Sequence, residues 1–371
     1  MSIPRLVLDA VSAAPLLPEV FQAMQPWFEK IPSLHEGQKL LREAMQSVSE
    51  LIKADAQSLH LIPGGGQMAL PALHRLAQQA VSQGKEKRIL VGEIESEAIM
   101  MAAEALRPQG FAIDFLPVNL LGQYEVNSLE QALKNNPSVV ALQFINRELG
   151  TIQPVQELAA AAHGAGALFF CDVSFGLGRV PMDLKSWGGD TAWASSFGIF
   201  GGPVNWGFVW NKVSVFPSEA SIFRSLPDWP GLVGVASACE SAYKNLASWQ
   251  IILKQRKAIL QDALTQKIES IRFNGSYLDG SHLLSVSFEG LEAEALRLRL
   301  DLKGVSVEAP AGCLVRSLKV PRSLRAIGLP DRLALSTLIL GLHIGLSEGD
   351  ISQAAEKISD AVAFLRNLSP S

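Results

Sequence analysis

One acid stands out in this chain. Asp172 closes the apolar run GALFFCD and is followed by the glycine-rich stretch SFGLGRVP. A continuous apolar run of that kind reads as a strand covered on both faces of a sheet. Open α/β sheets hold their ligands at the carboxyl ends of such strands, so Asp172 stands where a cofactor would meet an acid. A second run, TAWASS, leads into FGIFGGP, the next strand end. The nearest lysines, Lys185 and Lys212, do not lie at that strand end. The turn Gly64, Gly65, Gly66 in IPGGGQMAL offers backbone N–H groups at a helix start, a place that can bind an anion. It reads equally well as a plain strand-to-helix turn. Of the three cysteines, Cys171 and Cys239 sit among apolar neighbours and read as core. Cys313 follows APAG in a loop, where a thiol is more accessible and more reactive. Leu314 and Val315 after it leave reactive and leftover readings both open. The cysteines are too scattered for a disulfide framework or a local zinc motif, and the six histidines show no paired metal spacing.

The elements that must position these residues alternate along the chain. HEGQKLLREAMQSVSELIKA has apolar residues near helical spacing, at Leu40, Leu41, Met45, Val48, Leu51 and Ile52. RILVGE, FAIDFLP and VVALQFI are short apolar strands separated by helical stretches, the pattern of a mostly parallel sheet. The fold class expected is α/β, with a large domain over residues 1–235 whose first ~15 residues pack with the smaller part. A helix from about Ala236 to Lys267 then leads into a smaller α+β domain over 236–371, with the strand SHLLSVSFEG, the helix EAEALRLRLDLKG and a last helix from Glu348 to Leu368. With 371 residues the chain can bury two sizeable cores. It is 48% apolar and 18% charged, with a net charge of −4, which points away from nucleic acid and acidic membranes as partners. No window reads as a transmembrane span or a cleaved leader, so the expected location is cytoplasmic.

Several segments, in order, resemble the class V aminotransferases, and within them the cysteine desulfurases of the NifS/IscS type. VLDAVSAAPLLPEV is similar to the family's Asp-x-x-x-Thr-x-Pro opening, and IPSLHEGQ to its Pro-Ser-x-x-His-x-x-Gly segment. NRELGTIQP resembles Asn-Asn-Glu-Ile-Gly-x-x-Gln-Pro, and GALFFCDVSFGLGRVPMDL the strand that carries the cofactor acid. SVSFEGLEAEALRLRLDLKGVSVEAPAGC and LRAIGLPDRLALST resemble the C-terminal domain. The resemblance implies the fold type I of the pyridoxal phosphate (PLP) dependent transferases.

Carried over position by position, it also implies a loss of chemistry. Asp172 matches the acid that pairs with the pyridinium nitrogen, and Ser195 a serine that touches the cofactor phosphate. Gly198 stands at the Schiff-base lysine, and Phe197 at the histidine before it. Ser96 replaces the ring-stacking histidine, Phe175 a glutamine bonded to the phenolic oxygen, and Arg147 an asparagine near the substrate. Gly66 replaces a phosphate-binding threonine. Ile339 stands where an arginine grips the substrate carboxylate. Cys313 matches the persulfide-carrying cysteine. A lysine tethers PLP and moves its protons, and glycine does neither. The expectation is therefore a homodimer, or a heterodimer with an active desulfurase, that holds no covalent PLP. It would act as a partner or regulator in sulfur transfer or iron–sulfur assembly. An enzyme with unusual PLP handling and a binder of a different small anion are the alternatives. Arg147 and Asp172 are expected to pair in the old ring slot, with Phe175 and Phe197 packed over them.

Overall fold

The computed structural model describes residues 5–11, 14–64, 68–195, 200–212, 228–276, 282–310 and 320–368. Its centre is a seven-stranded sheet of β2 (Leu59–Pro63), β3 (Arg88–Gly92), β4 (Ala112–Leu116), β5 (Val139–Gln143), β6 (Leu168–Asp172), β7 (Thr191–Ala194) and β8 (Trp206–Asn211). They lie in the order β2-β8-β7-β6-β5-β3-β4. β4, β3, β5, β6 and β7 run parallel, and β8 is antiparallel to both β7 and β2. Every residue of β5 and β7 is buried, as strands sandwiched between two layers of helices must be. The chain leaves β3 for β4 on one side and returns to β5 on the other. That reversal opens a crevice beyond the carboxyl ends of β3 and β5, the place where such sheets take ligands.

A second, three-stranded antiparallel sheet follows, in the order β12-β10-β9: β9 (Ile271–Asn274), β10 (Leu283–Phe288) and β12 (Thr337–Gly341). Its helices are Ala293–Leu302 and Glu348–Leu368. The N-terminal strand β1 (Leu6–Val7) pairs in parallel with β11 (Val305–Ser306), and Asp9 bridges to Gly341, so the start of the chain is stitched to this smaller sheet.

A 39-residue helix, Trp229–Lys267, packs on the helices Leu34–Leu51 and Glu348–Leu368. It begins at Trp229, earlier than the expected Ala236, so the expected boundary after residue 235 falls inside it. The start signal is Asp228-Trp229-Pro230. The Asp228 carboxylate accepts the Gly231 N–H at 2.9 Å and the Trp206 indole N–H at 2.8 Å, and Pro230 occupies the first turn. Ser33 caps the helix Leu34–Leu51 in the same way, accepting from the Glu36 N–H. Among the described residues no helix is long and apolar enough to cross a membrane.

Candidate functional site

The floor of the crevice is built by the three residue runs that leave β3, β5 and β6. Asp172, 3% exposed, ends β6. Its Oδ1 accepts the Ser174 N–H at 2.9 Å, and its Oδ2 accepts the Ser96 hydroxyl at 3.0 Å. The Ser174 hydroxyl in turn accepts the Ser195 N–H at 2.8 Å and so ties the end of β7 to the end of β6. Burial pushes the Asp172 carboxyl up, and the hydrogen bonds from Ser174 and Ser96 pull it back.

Beside it lies a second acid that the sequence reading passed over. Glu95 leaves β3 just before Ser96 and is 6% exposed. Its Oε1 accepts both the Tyr124 hydroxyl and the Gln143 N–H, each at 2.8 Å. Its Oε2 is buried with no hydrogen-bond partner among the described residues. Burial first, and the charge of Asp172 second, push Glu95 well above the usual carboxylate range. Two carboxyls in one dry pocket do not both ionise cheaply. Burial thus pushes both carboxyls towards the neutral form, Glu95 the more strongly, while the hydrogen bonds from Ser96 and Ser174 favour charge on Asp172. Gly92 makes this arrangement possible. A Cβ there would lie 1.9 Å from the Tyr124 hydroxyl oxygen and 2.5 Å from Glu95 Oε1. Gln143 and Asn146 complete the floor by donating to the Ile94 carbonyl at 2.7 and 3.1 Å.

Arg147 does not meet Asp172, against expectation. Its guanidinium forms an ion pair with Glu308 of the smaller sheet region and lies 5.5 Å from the centre of the Phe175 ring. The reason is supply on both sides. Glu308, its side chain 8% exposed, is a buried carboxylate within reach across the crevice, while Ser96 and Ser174 already serve Asp172. Phe175 is buried and lies against Arg147, not over an Arg147–Asp172 pair as expected, because that pair does not form. Ile339 is fully buried in β12 among Val11 and Leu283, with its backbone paired to Glu308. The N–H of Gly64 donates to the Asn205 carbonyl at 2.6 Å, so this member of the glycine turn has no N–H left for an anion. Gly65, Gly66, Phe197, Gly198 and Cys313 lie outside the described residues. Cys171 and Cys239 are buried, and burial pushes both thiols up, that of Cys239 to about 12.

The sequence reading also missed Arg179, which is 1% exposed with its guanidinium 5.2 Å from the Phe200 ring centre. Burial lowers it to about 9. The available signal was an arginine inside the apolar stretch LGRVPM. Among the described residues no group of three or more His, Cys, Asp or Glu side chains could hold a metal ion.

An open, mostly parallel sheet with an acid at the carboxyl end of a central strand and a smaller sheet across the crevice is the architecture of the NifS/IscS-like PLP-dependent transferases. A solved NifS-like protein superposes with a TM-score of 0.85 at 19% identity, covering 97% of this chain and 100% of its own. An apo cysteine desulfurase from Thermococcus onnurineus NA1 superposes with a TM-score of 0.82 at 16% identity, over 97% and 95% of the two chains. The Aminotransferase class-V family model matches residues 6–217, and the chain belongs to that family, in its NifS/IscS-like branch. Cysteine desulfurase IscS 1 of Archaeoglobus fulgidus is 27% identical over 384 aligned positions, 98% of each chain. Cysteine desulfurase IscS of Methanosarcina thermophila is 27% identical over 98% of this chain and 93% of its own.

Proposed function

We propose that this chain is a non-catalytic member of the cysteine desulfurase branch, a dimeric partner or regulator in sulfur transfer or iron–sulfur assembly. The sulfur context is that of its relatives, named as cysteine desulfurases. The observation that carries the reading is the state of Asp172. The acid that a pyridinium nitrogen would need is already bonded to Ser96 and Ser174. Glu95, its carboxyl pushed well above the usual range by burial, lies within its electrostatic reach. From Ser195 to Asn211 the sequence, SSFGIFGGPVNWGFVWN, contains no lysine to tether a cofactor. These residues do not fit a covalently held PLP. Cys313 would carry a persulfide by attacking the outer sulfur of an active desulfurase's persulfide, whose own cysteine leaves as the thiol.

The anion-binding alternative is weakened by the surroundings of Arg147. Glu308 pairs with it, and the charge of Arg147 also acts on Asp9 and on Glu148. One guanidinium among three carboxyl groups is a poor lure for a further anion.

Purified protein tests the reading directly. The expected result is no Schiff-base absorption band, no sulfide release from cysteine, and a mass in light scattering of about 80 kDa, twice the 40.0 kDa chain. Gly198→Lys alone is expected to leave turnover absent, because Ser96, Phe175 and Arg147 still occupy the crevice. A borohydride-reducible band mapped to a lysine, or sulfide release by the parent, overturns the proposal.

A further inference from the structure

Seventeen large apolar side chains are exposed among the described residues, and five of them, Leu16, Phe21, Phe28, Ile31 and Leu34, fall within residues 16–34. Ile31 is 89% exposed, Leu34 70% and Phe28 67%. The backbone explains how they come to share a face. The helix Pro18–Met24 passes into the 3₁₀ turn Gln25–Phe28 with Met24 and Gln25 both right-handed helical. Its inner side, Val20 and Met24, is buried as it packs on the long helix Trp229–Lys267, with Met24 against Gly234. Phe21 and Phe28, seven positions apart, are left on the outer side. Trp27, Phe28, Lys30 and Ile31 then line a groove of about 460 Å³ with Asp228 and Pro230 at the start of the long helix. Leu34 follows directly on the cap Ser33.

We propose that this face is where a second copy of the chain docks, in a two-fold contact with Phe28 and Ile31 at its centre. The inference rests on the dimeric reading above and gives that dimer its surface. Area argues for it first. At their exposures the five side chains offer roughly 500–600 Å² of apolar surface, where a monomer rarely shows more than a few hundred in one patch. A stable dimer of ordinary size buries about 800 Å² on each partner, and about 65% of a homodimer interface is apolar. The face supplies that apolar share. Charge argues second. Residues 16–34 carry three charged side chains, Glu19, Glu29 and Lys30. Glu19 accepts from the Ser241 hydroxyl at 2.9 Å, and Lys30 pairs with Glu36. A two-fold axis sets the same patch against itself, so the apolar side chains cover one another and no block of like charge is brought together. A strongly acidic or basic partner would find little here to pair with.

Sedimentation of the full chain over a dilution series reads the dimer dissociation constant. Phe28→Glu and Ile31→Glu each place a carboxylate on both sides of the axis. Each should raise that constant about thirtyfold or more over the parent, with circular dichroism and melting temperature unchanged. Leu302→Glu, at a leucine 75% exposed on the helix Ala293–Leu302, should leave it as in the parent. Ile31→Cys in a Cys313→Ser background gives a second reading, since Cys171 and Cys239 are buried. A short bis-maleimide should join two copies through residue 31. If the glutamate variants dimerise as tightly as the parent, or the crosslink does not form in a dimeric protein, the interface lies elsewhere, and this assignment falls while the dimeric reading stands. A parent that stays monomeric across the series overturns both.

Discussion

Replacing Glu95 separates its two roles, acceptor and acid. As an acceptor its Oε1 serves two buried donors, the Tyr124 hydroxyl and the Gln143 N–H. Glu95→Ala orphans both, at a cost of about 1–3 kcal/mol for each, and leaves a small cavity besides. The loss expected is about 3–6 kcal/mol. Glu95→Gln keeps an acceptor oxygen for both donors and removes only the titration. Its signature is a dependence on pH. The folded state holds the Glu95 proton well above the usual carboxylate value of 4.5, whereas the unfolded chain releases it there. The contribution of a protonated Glu95 is therefore fully present below 4.5 and is lost as pH rises towards the folded value. While the folded protein keeps the proton, the parent should fall relative to Glu95→Gln by about 1.4 kcal/mol per pH unit. Urea denaturation at several pH values between 5 and 8 measures this difference, with equal m-values as the check on two-state behaviour. A flat difference over that range would mean that Glu95 is ionised in the folded protein, and the neutral reading of its carboxyl would fall.

Three further substitutions test the surrounding framework. Arg147→Ala should destabilise by about 2–4 kcal/mol by removing the ion-pair partner of the buried Glu308, with much of the loss restored in Arg147→Ala/Glu308→Gln. If the double variant is no better than the single, the arginine acts through its packing on Phe175 instead. Gly92→Ala should cost about 3 kcal/mol or more, since the new methyl overlaps Tyr124 and Glu95. Gly164→Ala, whose added Cβ meets nothing within 4 Å at the end of a helix, should be neutral or stabilising by up to about 1 kcal/mol. Thermal melts of the pair that rank the other way would show that the Tyr124–Glu95 contact yields easily.

The fold was legible because its signals are local and redundant. Apolar runs such as VVALQ and LFFCD announce strands buried on both faces, and each is flanked by a helix with its own periodicity. The last helix, Glu348–Leu368, lies where its pattern put it. The start of the long helix was missed because the apolar pattern around Trp229 is irregular, while the cap Asp228 and Pro230 carried the information. Asp172 was legible from its place at a strand end. Its partners were not, because pairing across the crevice depends on distances between segments far apart in the chain. Arg147 and Glu308 are separated by 161 positions, and nothing in the sequence ranks Glu308 above Asp172 as the partner.

The retained acid has its own physical explanation. A buried carboxylate without a cationic partner must find donors, share a proton or be replaced. The crevice floor uses the first two routes. Ser96 supplies a hydroxyl to Asp172, and the resemblance puts a stacking ring at that position in relatives that hold a cofactor. Ser174 supplies a backbone N–H, and burial pushes Glu95 towards its neutral form rather than a second charge. Replacing Asp172 by an apolar residue would strand the Ser174 N–H and the Ser96 hydroxyl in a site that water does not reach. Its network alone therefore gives the acid a reason to persist, with or without a pyridine ring beside it. An acid at this strand end marks where the family's chemistry takes place, and it is not by itself evidence that the chemistry continues.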